Sequence, residues 1–309
     1  MRGRGGLLPV GGGVRLWYEV VGDGPDPLIV PGASLKAADL APLVAGRTVV
    51  FYDMRGRGRS DPADEREPVG MDEEVADLEA VRARVGLERA SVLGSSYLGA
   101  VAALHAARHP ERVDRLLMVC PLPPVRSPGP ELRAEAEAAR RRGRARVDAA
   151  GLARLEELRA AGLPARDPAA FCREHRRVHL PRQLADPASV DRVRSDPCAL
   201  PNEFPDRVEA HLARLFAAFG DWDWRPAAAT IRAPTLVVQG TEDGVPLAAA
   251  RLWSDAIPGA RLLPVERAGH YPWVERPELF FPAAETFLRG GWPDGARAGA
   301  VAGRPSADT

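Results

Sequence analysis

Lysine is almost missing from this 309-residue chain. Lys36 stands alone among 42 basic residues, the rest being arginines. With so much alanine, glycine and proline around it, the imbalance reads as a GC-rich coding sequence rather than as function. Cysteine is scarce too: Cys120, Cys172 and Cys198 are odd in number and widely spaced. Such a set predicts neither a metal-ligand pair nor a disulfide framework, and so a reducing interior. No run approaches the roughly 18 apolar residues that a membrane-spanning helix needs. The N-terminal MRGRGGLLPVGGG has no apolar core of signal-peptide length. The expectation is a cytoplasmic protein with no membrane contact. Charge of one sign is also lacking, because 42 acidic and 42 basic residues balance and leave no field to draw in nucleic acid. The Arg140–Arg146 cluster is a local exception, but Glu135, Glu137, Glu156 and Glu157 lie close by and mark a solvated helix face.

Apolar content of 45% and charge of 27% are ordinary for a globular chain. The length suits one large domain with an inserted subdomain. Val14–Val21 alternates as a strand, and Leu28–Val30 and Thr48–Tyr52 are short buried strands. Asp72 predicts the cap of a helix with Val75, Leu78, Val81 and Val85 on one face and Gly86 as its stop. Ala90–Leu93 and Arg115–Val119 continue the strand–helix rhythm. It breaks at Cys120-Pro121-Leu122-Pro123-Pro124, and the sequence to about Pro226 is helical, charged and strand-poor. Strands resume at Pro234–Val238 and Arg261–Val265, and Pro277–Leu288 closes the domain as a helix. The pattern predicts an α/β fold, a doubly wound and mostly parallel sheet covered on both faces. Residues 1–122 and 227–290 form its core, 123–226 an inserted helical cap, and 291–309 a disordered tail.

One stretch organises the chemistry. Ala90–Pro110 reads as strand, tight turn and alanine-rich helix, with Ser96 at the apex and Gly94 two residues before it. A serine held there, its hydroxyl pushed above the sheet, is a nucleophile elbow. Leu98 departs from the G-x-S-x-G form, and its glycine follows one place later at 99; Leu98 is expected to push helix and strand apart or narrow the pocket floor. A serine hydroxyl needs a base, and the base an orienting acid. In doubly wound hydrolases these follow in the order Ser, Asp/Glu, His, on loops at the carboxyl edge of the sheet. Asp243, with Glu242 as adjacent competitor, ends one predicted strand, and His270 follows the last. Of six histidines, His105 and His109 fall on the helix after the elbow, where packing or capping accounts for them. His175, His179 and His211 fall in the cap. An oxyanion needs two backbone N–H donors, predicted at Tyr97 and at Ala33 in the early loop. Trp222, Trp224 and Trp273 are candidate pocket walls, with core packing as the competing account.

The blocks VPGAS at 30–34, YDMRGRGRSD at 52–61, LGSSYLG at 93–99, QGTED at 239–243 and GHYPWVERP at 269–277 together resemble the α/β-hydrolase-fold serine hydrolases. YDMRGRGRSD, with GDWDWRP at 220–226, is similar to the proline iminopeptidase-like branch. The early loop departs from that branch's His-Gly-Gly, and Ser95 and Tyr97-Leu98 depart from its Gly and Trp-Gly around the nucleophile. Aminopeptidases of this type grip the substrate's free amine with cap carboxylates, for which Glu203 is the candidate; surface Glu is the commoner account. Substrate-binding candidates are therefore Glu203 and Trp273. The resemblance implies a hydrolase of small esters, amides or related acyl compounds, with Ser96, His270 and Asp243 as triad and neither metal nor cofactor. A prolyl aminopeptidase, or a non-hydrolytic enzyme or ligand-binding protein on the same fold, are the alternatives. The expected partner is a small-molecule substrate; oligomeric state is not legible.

Overall fold

Valine, leucine and isoleucine gather in short unbroken runs because a strand covered on both faces has no use for polar alternation. The computed structural model describes residues 4–64 and 66–299. Its strands are β1 (Arg4–Pro9), β2 (Arg15–Val21), β3 (Asp26–Pro31), β4 (Arg47–Tyr52), β5 (Ala90–Ser95), β6 (Val113–Val119), β7 (Thr235–Gly240), β8 (Arg261–Val265) and β9 (Arg297–Ala298). They form one sheet in the order β1-β2-β4-β3-β5-β6-β7-β8-β9. From β4 across to β8 every pairing is parallel, whereas β1, β2 and β9 add antiparallel edges.

The principal helices are α1 (Ala33–Lys36), α2 (Met71–Arg84), α3 (Tyr97–Arg108), α4 (Pro130–Ala145), α5 (Ala149–Ala160), α6 (Leu163–Arg166), α7 (Pro168–His179), α8 (Pro205–Phe219), α9 (Arg225–Ala228), α10 (Leu247–Ala256), α11 (Pro272–Glu275) and α12 (Pro277–Leu288). Alternate residues of the central strands enter opposite cores. Ile29, Val50, Val92, Met118 and Val237 pack with α3 and Trp253 of α10. Leu28, Val49, Leu93, Val119 and Val238 pack instead with Phe280 and Phe287 of α12. Each such side chain contributes roughly 1.5–3 kcal/mol by leaving water. Between β6 and β7 lies the segment carrying α4 to α9, with a small apolar cluster of its own at Leu155, Phe171 and Val178.

Several expectations need correction. β1 was not foreseen, because a glycine-rich edge strand has little apolar pattern. Gly5 lets the backbones approach, since a Cβ there would sit 2.2 Å from Tyr18 O. Asp72 does not cap α2; Gly70 holds the cap position, and Asp72 pairs instead with Arg108. The tail is defined as far as Gly299, where β9 pairs with β8 and Trp292 lies against Phe287; the expectation for 300–309 falls outside the described residues.

The cysteine reading fails on the same ground that made it attractive. Sequence spacing said the thiols were far apart, yet Cys172 on α7 and Cys198 form a disulfide with their Cα atoms 5.6 Å apart. Cys120 alone is free. The thiol argument for a reducing interior thereby loses its premise; among the described residues no helix is long and apolar enough to cross a membrane. The bridge closes a loop across 26 positions. Cys198→Ser is expected to lower stability by up to about 3 kcal/mol, the loop-closure entropy returned to the unfolded chain. Denaturant melts with and without reductant check this, and identical midpoints would show that the bridge contributes nothing.

Candidate active site

The turn after β5 has almost no freedom. Ser96 takes φ 58° and ψ −134°, a region that costs a non-glycine residue about 1–3 kcal/mol. It is held there by its N–H to Val119 O at 3.0 Å and by its carbonyl, which accepts from Gly99 N and Leu122 N, each at 3.0 Å. Gly94 is required by contact, because a Cβ would meet Leu98 O at 2.2 Å. Leu98 itself is buried and lines a cavity of about 740 Å³.

Ser96, Asp243 and His270 all line that cavity. Asp243 leaves the end of β7, where Gln239 Nε2 donates to its Oδ2 at 3.0 Å and Val245 N to its Oδ1 at 3.3 Å. His270 follows β8; its N–H donates to Gln183 O at 2.7 Å, and Gly269 N donates to Glu275 Oε2 at 2.6 Å. These bonds place His270 Nδ1 2.9 Å from Asp243 Oδ2. Opposite a carboxylate oxygen that already accepts from Gln239, Nδ1 is the donor, which leaves Nε2 as the free base. Glu242, the competitor, turns away to Arg146 at 2.9 Å. Burial lowers the His270 pKa, but the charge and hydrogen bond of Asp243 outweigh it, with Lys36 opposing, and the imidazole ends above its ordinary value. No hydrogen bond among the described residues joins Ser96 to His270; such contacts commonly tighten only when substrate arrives.

The early loop is tied down by a carboxylate of the 52–61 block. Asp53 is fully buried and accepts from Ser34 N at 2.7 Å and Arg59 N at 3.1 Å. Neither Ala33 N–H nor Tyr97 N–H is spent in the turn, loop or cap hydrogen bonds of the described residues. Tyr97 lines the cavity; Ala33 is buried and is not part of this wall, lining instead a separate cavity with Ser34 and Arg194. Trp273 is on the wall, whereas Trp222 and Trp224 stack on each other at 5.2 Å and belong to the core around Phe219. Glu203 is off the wall and buried, both oxygens engaged by Arg57 at 3.0 and 2.6 Å and by Gly58 N at 2.7 Å.

Two groups of metal-type donors occur among the described residues: Glu79, His105 and His109, and Cys120, Asp243 and His270. In the first, Arg82 holds both Glu79 oxygens, and a cation is a poor neighbour for a metal. In the second, Asp243 is committed to His270, and burial pushes the Cys120 thiol up, away from the thiolate a metal needs.

A strained serine, an imidazole–carboxylate pair and a cavity at the carboxyl edge of a parallel sheet define a class. The chain belongs to the alpha/beta hydrolase fold family, whose model matches residues 30–277. It stands near the proline iminopeptidases: it is 26% identical to the crystal structure of that enzyme from Mycobacterium smegmatis, with a TM-score of 0.63 over 93% of this chain and 98% of that one. Proline iminopeptidase of Lactobacillus helveticus is 23% identical, over 89% of this chain and 95% of its own length. The enol-lactonase of Burkholderia xenovorans is 25% identical, with a TM-score of 0.60 over 92% of this chain and all of that chain. A stretch of the polyketide synthase ThaQ of Burkholderia thailandensis is 31% identical over 91% of this chain, which spans only 12% of that protein's length.

Proposed function

We propose that this protein is a serine hydrolase of small esters, lactones or related acyl compounds. The observation that carries the reading is the Asp243–His270 pair at 2.9 Å in the cavity that also holds the strained Ser96. Ser96 Oγ attacks the substrate carbonyl carbon while His270 Nε2 takes its proton. The oxyanion is received by the N–H of Tyr97 on the wall, with the N–H of Ala33, just off the wall in this structure, as the second donor when substrate binds. Collapse expels the alcohol or amine, protonated by His270, and leaves an acyl-enzyme. Water, deprotonated by the same imidazole, releases the acid and restores Ser96. Residues 123–226 act as the cap that closes the cavity and sets its selectivity.

The aminopeptidase alternative requires a free carboxylate to grip an amine. Glu203 is not free, since Arg57 holds it by two hydrogen bonds. Esters and lactones are therefore favoured over N-terminal prolyl peptides.

A fluorophosphonate probe, followed by peptide mass spectrometry, tests the reading: the adduct should sit on Ser96, and an unlabelled protein or an adduct elsewhere would defeat it. The pH profile supplies a separate check. His270 must be neutral to accept a proton, so kcat/KM for a neutral p-nitrophenyl ester should fall as pH drops through a pKa above 6.5. An acid limb centred at or below that value would show that Asp243 does not govern the base.

A further inference from the structure

Lys36 is the residue that the proposed chemistry leaves unused. It is the one lysine of the chain, it is buried, and it lies on the cavity wall with Ser96 and His270. α1 carries it there, and its Nζ donates to Ser95 Oγ at 2.6 Å, beside the nucleophile. Asp53 acts on it through space but gives its oxygens to Ser34 N–H and Arg59 N–H. No ion pair engages Lys36 among the described residues.

The rest of the wall carries four arginines. Arg57 is paired with Glu203, and Arg140 and Arg144 with Glu137. Arg182 is exposed at the wall with no carboxylate partner among the described residues. Asp243, the one acid on the wall, is committed to His270. Uncommitted positive charge thus faces a cavity that offers it no free acid. A buried ammonium with no carboxylate paired to it is costly: burial and Arg57 push Lys36 down to about 7, with Asp53 only partly opposing them through space. An anion arriving beside it supplies the missing charge and restores the proton.

We propose that Lys36 anchors the substrate, and that the site takes an acyl compound bearing a carboxylate, held by the Lys36 ammonium next to the elbow. One ammonium that already shares a hydrogen bond with Ser95 balances one negative charge, which fits a carboxylate better than a phosphate dianion. The inference rests on the serine-hydrolase reading and names its substrate class.

Three p-nitrophenyl esters of equal chain length test it: one ending in a carboxylate (the adipate half-ester), one in a methyl group and one in an ammonium. Wild-type kcat/KM should run in that order, the first exceeding the second by about tenfold or more, the worth of a hydrogen bond to a charged group. Lys36→Met should reduce that ratio by about the same factor, with Lys36→Gln as the second variant should the first fail to fold. A wild-type enzyme indifferent to the charge, or a ratio unmoved by folded Lys36 variants, overturns the proposal. So does loss of fluorophosphonate labelling in a folded variant, because Lys36 would then act on the nucleophile itself. Labelling of wild-type Ser96 in the same experiment separates these results from failure of the hydrolase reading, in which no adduct forms there at all.

Discussion

Ser96→Ala is expected to abolish fluorophosphonate labelling and to lower kcat/KM for a p-nitrophenyl ester by about 10⁴-fold or more. Ser96 is half-buried at the turn after β5, on the cavity wall that also carries His270. Ser95 does not substitute for it, because its Oγ is turned toward Lys36 Nζ at 2.6 Å and its residue belongs to β5 rather than to the apex. The variant should remain folded. Alanine at φ 58° bears the same backbone strain as serine, and the bonds from Val119 O, Gly99 N and Leu122 N to the Ser96 backbone survive the change. A midpoint of thermal unfolding within about 2 °C of wild type would show this. Loss of less than about tenfold in kcat/KM would place the nucleophile elsewhere.

How much of this was legible follows from the range of the interactions. The strand β5, the turn and α3 are set by neighbours in sequence, so Gly94, Ser96 and the alanine-rich helix announce themselves locally. That Asp243 and His270 lie together was legible from the expected order of serine, acid and histidine on successive loops. Their separation of 27 positions closes to a hydrogen bond only through the β7–β8 pairing. Lys36 was in plain view as a compositional oddity, but nothing local says that α1 turns it toward Ser95, 59 positions away. Asp53 sits inside the 52–61 block with no role legible there, since Ser34 reaches it only through the β3–β4 pairing. The Cys172–Cys198 bridge was misread for the same reason. Spacing along a chain measures loop length, and a folded helical segment does not preserve it as distance.

The largest expected loss of stability comes from the Arg57–Glu203 pair. Their side chains are 5% and 2% exposed, and the two hydrogen bonds at 3.0 and 2.6 Å tie the loop after β4 to the approach to α8. Arg57→Met leaves a buried carboxylate with only Gly58 N–H as its donor, and should cost about 3–5 kcal/mol. Glu203→Gln keeps the Gly58 N–H and Arg57 Nε donors if its amide oxygen takes the Oε1 position, but its NH2 group then faces the Arg57 Nη2 donor in place of Oε2, so the penalty is that donor–donor contact as well as the charge withdrawn from Arg57. The double variant Arg57→Met/Glu203→Leu removes both charges together and should recover most of the single loss, short of the roughly 1–3 kcal/mol for the orphaned Gly58 N–H. Urea melts of wild type, Arg57→Met, Glu203→Leu and the double variant close the cycle and give the coupling energy directly. A cost below about 1 kcal/mol for Arg57→Met would mean that Glu203 is hydrated and available, since a carboxylate in water does not need its partner. That result would reopen the amine-gripping role for Glu203 and, with it, the aminopeptidase reading. A large coupling instead fixes Glu203 as a strut, and leaves the free charge at this site positive.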